Sequence, residues 1–110
     1  MTVIHIVFFE FTAGLPSKEI ADICSRMIAL SQKCIHPQTT RPYFKSLGGG
    51  RDNSPEGQQG GFTHGFVCEF QSVEDRDYYV SQDVVHQEFV KGLDGKIKNV
   101  RALDFEPGKF

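Results

Sequence analysis

Val3-Ile4-His5-Ile6-Val7-Phe8-Phe9-Glu10-Phe11 is a run of β-branched and aromatic residues interrupted by a single histidine and a single acid. Such side chains suit the pleated, half-buried surface of a sheet, so the run reads as a strand. Alternation puts Val3, His5, Val7, Phe9 and Phe11 on one face and Ile4, Ile6, Phe8 and Glu10 on the other. Both faces are apolar. A strand of this kind needs cover on both sides, and the helices of one short chain supply it on only one. A second subunit against the other face is the economical solution.

The chain around this strand has 110 residues, 39% of them hydrophobic, which predicts one domain spanning residues 1–110 with a modest core. Twelve Lys and Arg stand against fourteen Asp and Glu, with no block of like charge. Neither nucleic acid nor a membrane surface is therefore expected as a partner. The longest apolar run is far shorter than the roughly 20 residues of a membrane span, and no basic n-region marks a signal peptide. Cys24, Cys34 and Cys68 cannot all pair within one chain and lack zinc or redox spacing. They read as small buried hydrophobes in a reducing, cytoplasmic compartment. The aromatics are ten Phe and three Tyr with no Trp, so a core or pocket is lined by rings that mostly lack a polar handle.

Downstream of the first strand, Ala13-Gly14-Leu15-Pro16 breaks the pattern and Ser17 is placed to cap a helix. Ile20, Ile23, Cys24, Met27, Leu30 and Cys34 follow the i, i+3, i+4, i+7 spacing of an amphipathic helix ending near His36-Pro37. Tyr43 to Leu47 is a short strand. Gly48 to Gly61 holds six of the eleven glycines and reads as a mobile loop, with no Gly-Lys-Ser/Thr to make it a phosphate loop. Phe62 to Phe70 is a second strong strand, with Phe62, His64, Phe66, Cys68 and Phe70 on one face. Ser72-Val73-Glu74-Asp75 resembles a capping box and opens a helix through Tyr78, Tyr79 and Val80. Ser81-Gln82-Asp83 interrupts it before a second short helix from Val85 to Leu93, and Ile97 to Phe105 is the last strand. This order is the split β-α-β pattern of an α+β, ferredoxin-like domain: one four-stranded antiparallel sheet with its helices on one face. The exposed sheet face then favours burial against a second copy, a homodimer.

Four histidines carry the chemical possibilities. His36 reads as a solvent-exposed residue at a helix end. His5 and His64 sit on strands that are neighbours in such a sheet, on faces that alternation allows to coincide; whether that face is the helix side or the open side, periodicity does not say. His86 follows the helical break beside Tyr78 and Tyr79. No His-x-His or His-Glu-x-x-His spacing is present, so a metal site is not expected. An imidazole titrating at about 6.5 suits proton transfer next to a carbonyl, and a tyrosine hydroxyl suits the enolate oxygen that results. Hydrolase, kinase and dehydrogenase signatures are absent.

The stretches His5 to Phe11, Gly61-Phe62-Thr63-His64, Phe70 to Asp75, Val85-His86-Gln87-Glu88-Phe89 and the closing Asp104-Phe105 together resemble the stress-responsive dimeric α/β-barrel (Dabb) family. Within it they are similar to the polyketide cyclases of the olivetolic acid cyclase type. The resemblance covers nearly the whole chain and implies a ferredoxin-like protomer whose sheet pairs with that of a second subunit. It also implies a small-molecule substrate, a linear poly-β-ketoacyl chain closed by aldol chemistry without any cofactor, because the substrate's own carbonyls stabilise the carbanion. In that scheme His86 is the general base, Tyr79 holds the oxyanion, and His5, His64, Tyr78, Phe9 and Phe66 line the substrate cavity. Two departures stand out: Asp83-Val84 replaces the family's His-Pro before the histidine, and the tyrosine-to-histidine gap is longer, so either Tyr78 or Tyr79 matches, the latter with the smaller insertion. The family also includes members with no established reaction. A non-catalytic dimeric stress-responsive or ligand-binding protein is accordingly the alternative.

Overall fold

Seven elements follow one another in a computed structural model that describes residues 1–110: β1 (Val3–Phe11), α1 (Ser17–Lys33), β2 (Phe44–Arg51), β3 (His64–Phe70), α2 (Val73–Ser81), α3 (Val84–Lys91) and β4 (Ile97–Phe105). The strands form one sheet in the order β2-β3-β1-β4. Every neighbouring pair is antiparallel, and β1 is central, with Val3 opposite Phe70 and Ile4 opposite Phe105. This is the ferredoxin-like α+β arrangement.

The helices settle which side of β1 is which. Val3, Val7 and Phe9 are buried with Ile23, Met27 and Leu30 of α1, Phe66 and Phe70 of β3, Tyr79 of α2 and Phe89 of α3. His5 belongs to this covered face and is only 8% exposed. On the reverse face no helix packs. Phe8, Leu103 and Phe105 are exposed there, 44%, 62% and 42% respectively, beside half-buried Ile4, Ile6 and Val67.

Several local features differ from the sequence expectations. Pro16, not Ser17, is the N-cap of α1: its carbonyl accepts from the N–H groups of Glu19 and Ile20, and no side chain caps the end. A proline's fixed φ already places the preceding turn in extended geometry, so the helix starts one residue after it. Gly48, Gly49 and Gly50 are not loop but part of β2, opposite Val67, Phe66 and Gly65, with a register shift between Ser46 and Gly48. β3 begins at His64 rather than Phe62, because Phe62 turns to the open face against Phe8 and under Arg101. His36 is not an exposed helix-end residue. It lies three residues beyond α1, half-buried between the rings of Tyr43 and Tyr78, with Nδ1 accepting from the N–H groups of Gln38 and Thr39. Ser72 caps α2 through its hydroxyl, which accepts from Asp75 N–H at 3.1 Å. No helix is long and apolar enough to cross a membrane.

Candidate active site

β1 and β4 bring His5 directly opposite Asp104. Cross-strand neighbours on one face lie within side-chain reach, and His5 Nδ1–H donates to Asp104 Oδ1 at 2.6 Å. The second carboxylate oxygen of Asp104 accepts from Arg76 Nη1 of α2 at 2.8 Å, and Arg76 Nε reaches Asp77 at 2.8 Å. A carboxylate held by a guanidinium acts only as an acceptor, so His5 Nδ1 is the donor in this bond.

His86 arrives from the other side, three residues past the α3 N-cap. Its Nδ1–H donates to the carbonyl of Tyr79 at 2.9 Å. The imidazole stacks on the Tyr79 ring, centroids 3.9 Å apart and planes 19° from parallel. Burial holds the His86 pKa below the usual 6.5; the bond to the Tyr79 carbonyl and the charge of Asp83 push the other way, and His5 adds a small lowering. The ring is therefore neutral at neutral pH, with its lone pair on Nε2.

Both histidines line one cavity of about 760 Å³. Val7, Phe9, Val100 and Ala102 of the sheet form its floor, Phe89 and Leu93 one wall, and Lys91, Asp94 and Lys98 its rim. Small-molecule pockets are generally apolar with a few placed polar groups, and the polar groups of this largely apolar cavity include two imidazoles. No three His, Cys, Asp or Glu side chains come together to hold a metal ion.

Of the residues singled out in the sequence, His5, Phe9, Tyr79 and His86 line this cavity. His64 does not. It faces the same side of the sheet but pairs with Phe9, four residues along β1 from His5, which is roughly 13 Å of strand. There it lies in a separate cleft with Cys24 and Arg51 and packs edge-on against Phe11. Phe66 is buried beneath Phe9 rather than in the cavity wall. Tyr78 packs against His36 and Tyr43, because successive helical residues point about 100° apart. The pKa of the Tyr79 hydroxyl is raised by burial first and then by Cys68, Cys34 and Asp83, groups of the core. Tyr79 meets His86 through its ring and its carbonyl.

Three residues matter here whose roles were not read from the sequence: Asp104, Arg76 and Asp83. An acid near the end of the closing strand, facing the same side as His5, was the signal available for the first. Asp83 was read as part of a helix break and of a departure from the family's His-Pro, whereas it is the N-cap of α3.

The stress-responsive A/B barrel domain (Dabb) model matches residues 3–107. The chain belongs to this family. Among solved structures, the hydroxynitrile lyase of Passiflora edulis is 27% identical, with a TM-score of 0.79 over 99% of this chain and 96% of that one. A protein from Arabidopsis thaliana is 26% identical, with a TM-score of 0.79 over 98% and 97% of the two chains. A dimeric Bacteroides fragilis protein of unknown function and ferredoxin-like fold shares the fold at 18% identity, TM-score 0.63, over 96% and 95%. No curated protein matches the Dabb chain described here.

Proposed function

We propose that this Dabb protein is a cofactor-independent carbon–carbon lyase of the aldol type, acting on a small, largely apolar substrate whose carbonyl or nitrile group stabilises a carbanion. The observation that carries the reading is the state of His86. Its Nδ1–H is tied to the Tyr79 carbonyl and burial lowers its pKa, so Nε2 offers a lone pair inside an apolar cavity. A neutral imidazole, partly desolvated, suits the removal of a weakly acidic proton.

In the cleavage direction, Nε2 takes the proton of a substrate hydroxyl. The oxygen becomes a carbonyl as the adjacent carbon–carbon bond breaks, and the bonding pair leaves on the stabilised carbanion, which then receives the proton. In the synthetic direction, Nε2 takes a proton from a carbon between two carbonyls and the carbanion attacks a carbonyl of the same chain, whose oxygen is protonated in turn. His5 faces the same space. The Asp104 carboxylate behind its Nδ1–H compensates the charge that appears when this ring accepts a proton, which suits it to shuttle that proton at the far end of the substrate. Phe9 walls the cavity, and Tyr79 serves by holding the His86 ring.

Ring closure of a poly-β-ketoacyl chain is the synthetic form of this chemistry, supported by the family resemblance. Cleavage of a hydroxynitrile to a carbonyl compound and cyanide is the other form, supported by the relative from Passiflora edulis. The protein acts as a homodimer through the uncovered sheet face, a reading supported by the apolar side chains there and by the dimeric relative.

The test is to supply purified protein with mandelonitrile, following cyanide release, and with a linear tetraketide thioester, following ring-closed products by mass spectrometry against the spontaneous lactones. Turnover of one of them is expected, with His86→Ala slower by roughly 100-fold or more, the usual contribution of a positioned base. A folded His86→Ala protein as active as the wild type removes the mechanism. No turnover of either compound, together with tight binding of apolar ligands, points instead to a non-catalytic binding protein.

A further inference from the structure

Asp83 is 3% exposed, the most deeply buried of the three buried polar residues, ahead of Ser31 and His5. A helix N-cap usually needs no such burial, since water satisfies whatever the helix does not. Here the carboxylate is filled by protein donors. Oδ1 accepts from Val85 N–H at 3.0 Å and His86 N–H at 3.3 Å, while Oδ2 accepts the hydroxyl of Tyr43. Tyr43 lies just ahead of β2, forty residues away in sequence, and is itself packed edge-on between His36 and Tyr78.

The consequence for His86 is geometric first. With Asp83 as N-cap, His86 is the third residue of α3, and its own backbone N–H ends on the Asp83 carboxylate. The ring is held at its other end by the Tyr79 carbonyl. The Asp83 N–H donates to Tyr78 O at 3.0 Å, so the same residue also joins the end of α2 to the start of α3. The carboxylate is felt across this part of the core. Cys34, at the C-cap of α1, has its thiol pushed up to about 12 by burial first and by Asp83 next.

We propose that Asp83, braced by Tyr43, is a positioning residue for His86: it fixes the imidazole at the cavity wall and sets a buried negative charge behind it. The proposal rests on the reading of His86 as the base. A carboxylate in a poorly solvated site acts on its neighbours with little screening, and its effect on His86 is to favour the protonated ring, against burial. The other groups around His86 are Tyr79 from α2, His5 from β1 with Asp104 and Arg76 behind it, and Lys91, Asp94 and Lys98 at the cavity rim. None of these groups hydrogen-bonds to the side chain of Asp83 or of Tyr43.

The measurement is the pH titration of the His86 ring by NMR, its signal assigned by disappearance in His86→Gln. Asparagine caps a helix about as well as aspartate, so Asp83→Asn keeps the turn and removes the charge. The His86 midpoint is expected to fall by about one pH unit, the low end of what a nearby carboxylate imposes. Tyr43→Phe withdraws a hydrogen bond that partly neutralises the carboxylate, and the midpoint is expected to rise. A residue that only caps the helix changes stability in both variants and moves neither midpoint. A folded Asp83→Asn protein titrating like the wild type overturns the proposal. Should Asp83→Asn fail to fold, Tyr43→Phe decides, and an unchanged or lowered midpoint there overturns it equally. The titration needs no substrate, so opposite shifts without any turnover would retire the lyase reading and leave the coupling of Asp83 to His86 standing.

Discussion

At His86 two opposing effects meet: burial disfavours the imidazolium, while the Tyr79 carbonyl and Asp83 favour it, and burial is the larger. The folded-state pKa therefore lies below 6.5, the value expected once the chain is unfolded. Between those two values the unfolded protein binds more protons than the folded one, so this histidine subtracts stability as pH falls through 6.5 and stops doing so below the folded pKa. Urea melts across that range are expected to show His86→Gln losing less stability on acidification than the wild type. An identical pH slope in the two proteins would mean that the ring is as free to protonate folded as unfolded. The same residue shows why a sequence reading stops short. Position 86 was visible as a histidine after a helix break, but the identity of the free nitrogen depends on a carbonyl seven residues earlier that only the turn between α2 and α3 brings within 2.9 Å.

At the scale of elements, β2 is the least expected strand. Its glycines have no side chain to pack and weaken a strand taken alone, so composition favoured a loop. Pairing with β3 decides otherwise, and Gly49 shows what the glycine provides. A Cβ built there would stand 2.3 Å from Phe66 Cδ1 and 2.8 Å from the carbonyl oxygen of Gly65, whereas Gly50 has nothing within 4 Å. The ring of Phe66, 3% exposed, fills the place that a side chain at 49 would take. Gly49→Ala is expected to cost about 1–3 kcal/mol, as overpacking generally does, with Gly50→Ala close to neutral by the same denaturant melts. Equal effects at the two positions would show that the strand yields freely at Phe66. By contrast, β4 was legible over its whole length, Ile97–Phe105, because it lies between a turn and a proline.

For the whole molecule, the uncovered sheet face is the feature with the largest consequence. Leu103 and Phe105 of β4, and Phe8 of β1, present their side chains to solvent in the isolated chain. Apolar patches of this kind rarely stay exposed. In the proposed homodimer Leu103→Asp places a charge within the buried face, where it finds no partner. Sedimentation is expected to give a dimer for the wild type and a monomer for Leu103→Asp; a variant that remains dimeric would move the interface off this face. Because the cavity opens on the opposite, helix-covered side and is lined by residues of one protomer, loss of the dimer is separable from loss of His86.

What the sequence determined by itself was the order of elements, the ferredoxin-like class, the strand carrying His5 and the need for cover on a second face. Those follow from alternation along strands and from three-to-four spacing along helices, properties of neighbouring residues. The tertiary structure alone decided which histidines meet. His5 and His64 share a face, yet the antiparallel register of β1 on β3 sets them at opposite ends of it. His86 reaches the cavity beside His5 because Asp83 starts α3 where it does, and Asp104 reaches His5 from ninety-nine residues away through the register of β4. Register, helix start and side-chain direction are settled by packing among distant segments, and no local pattern in the chain encodes them.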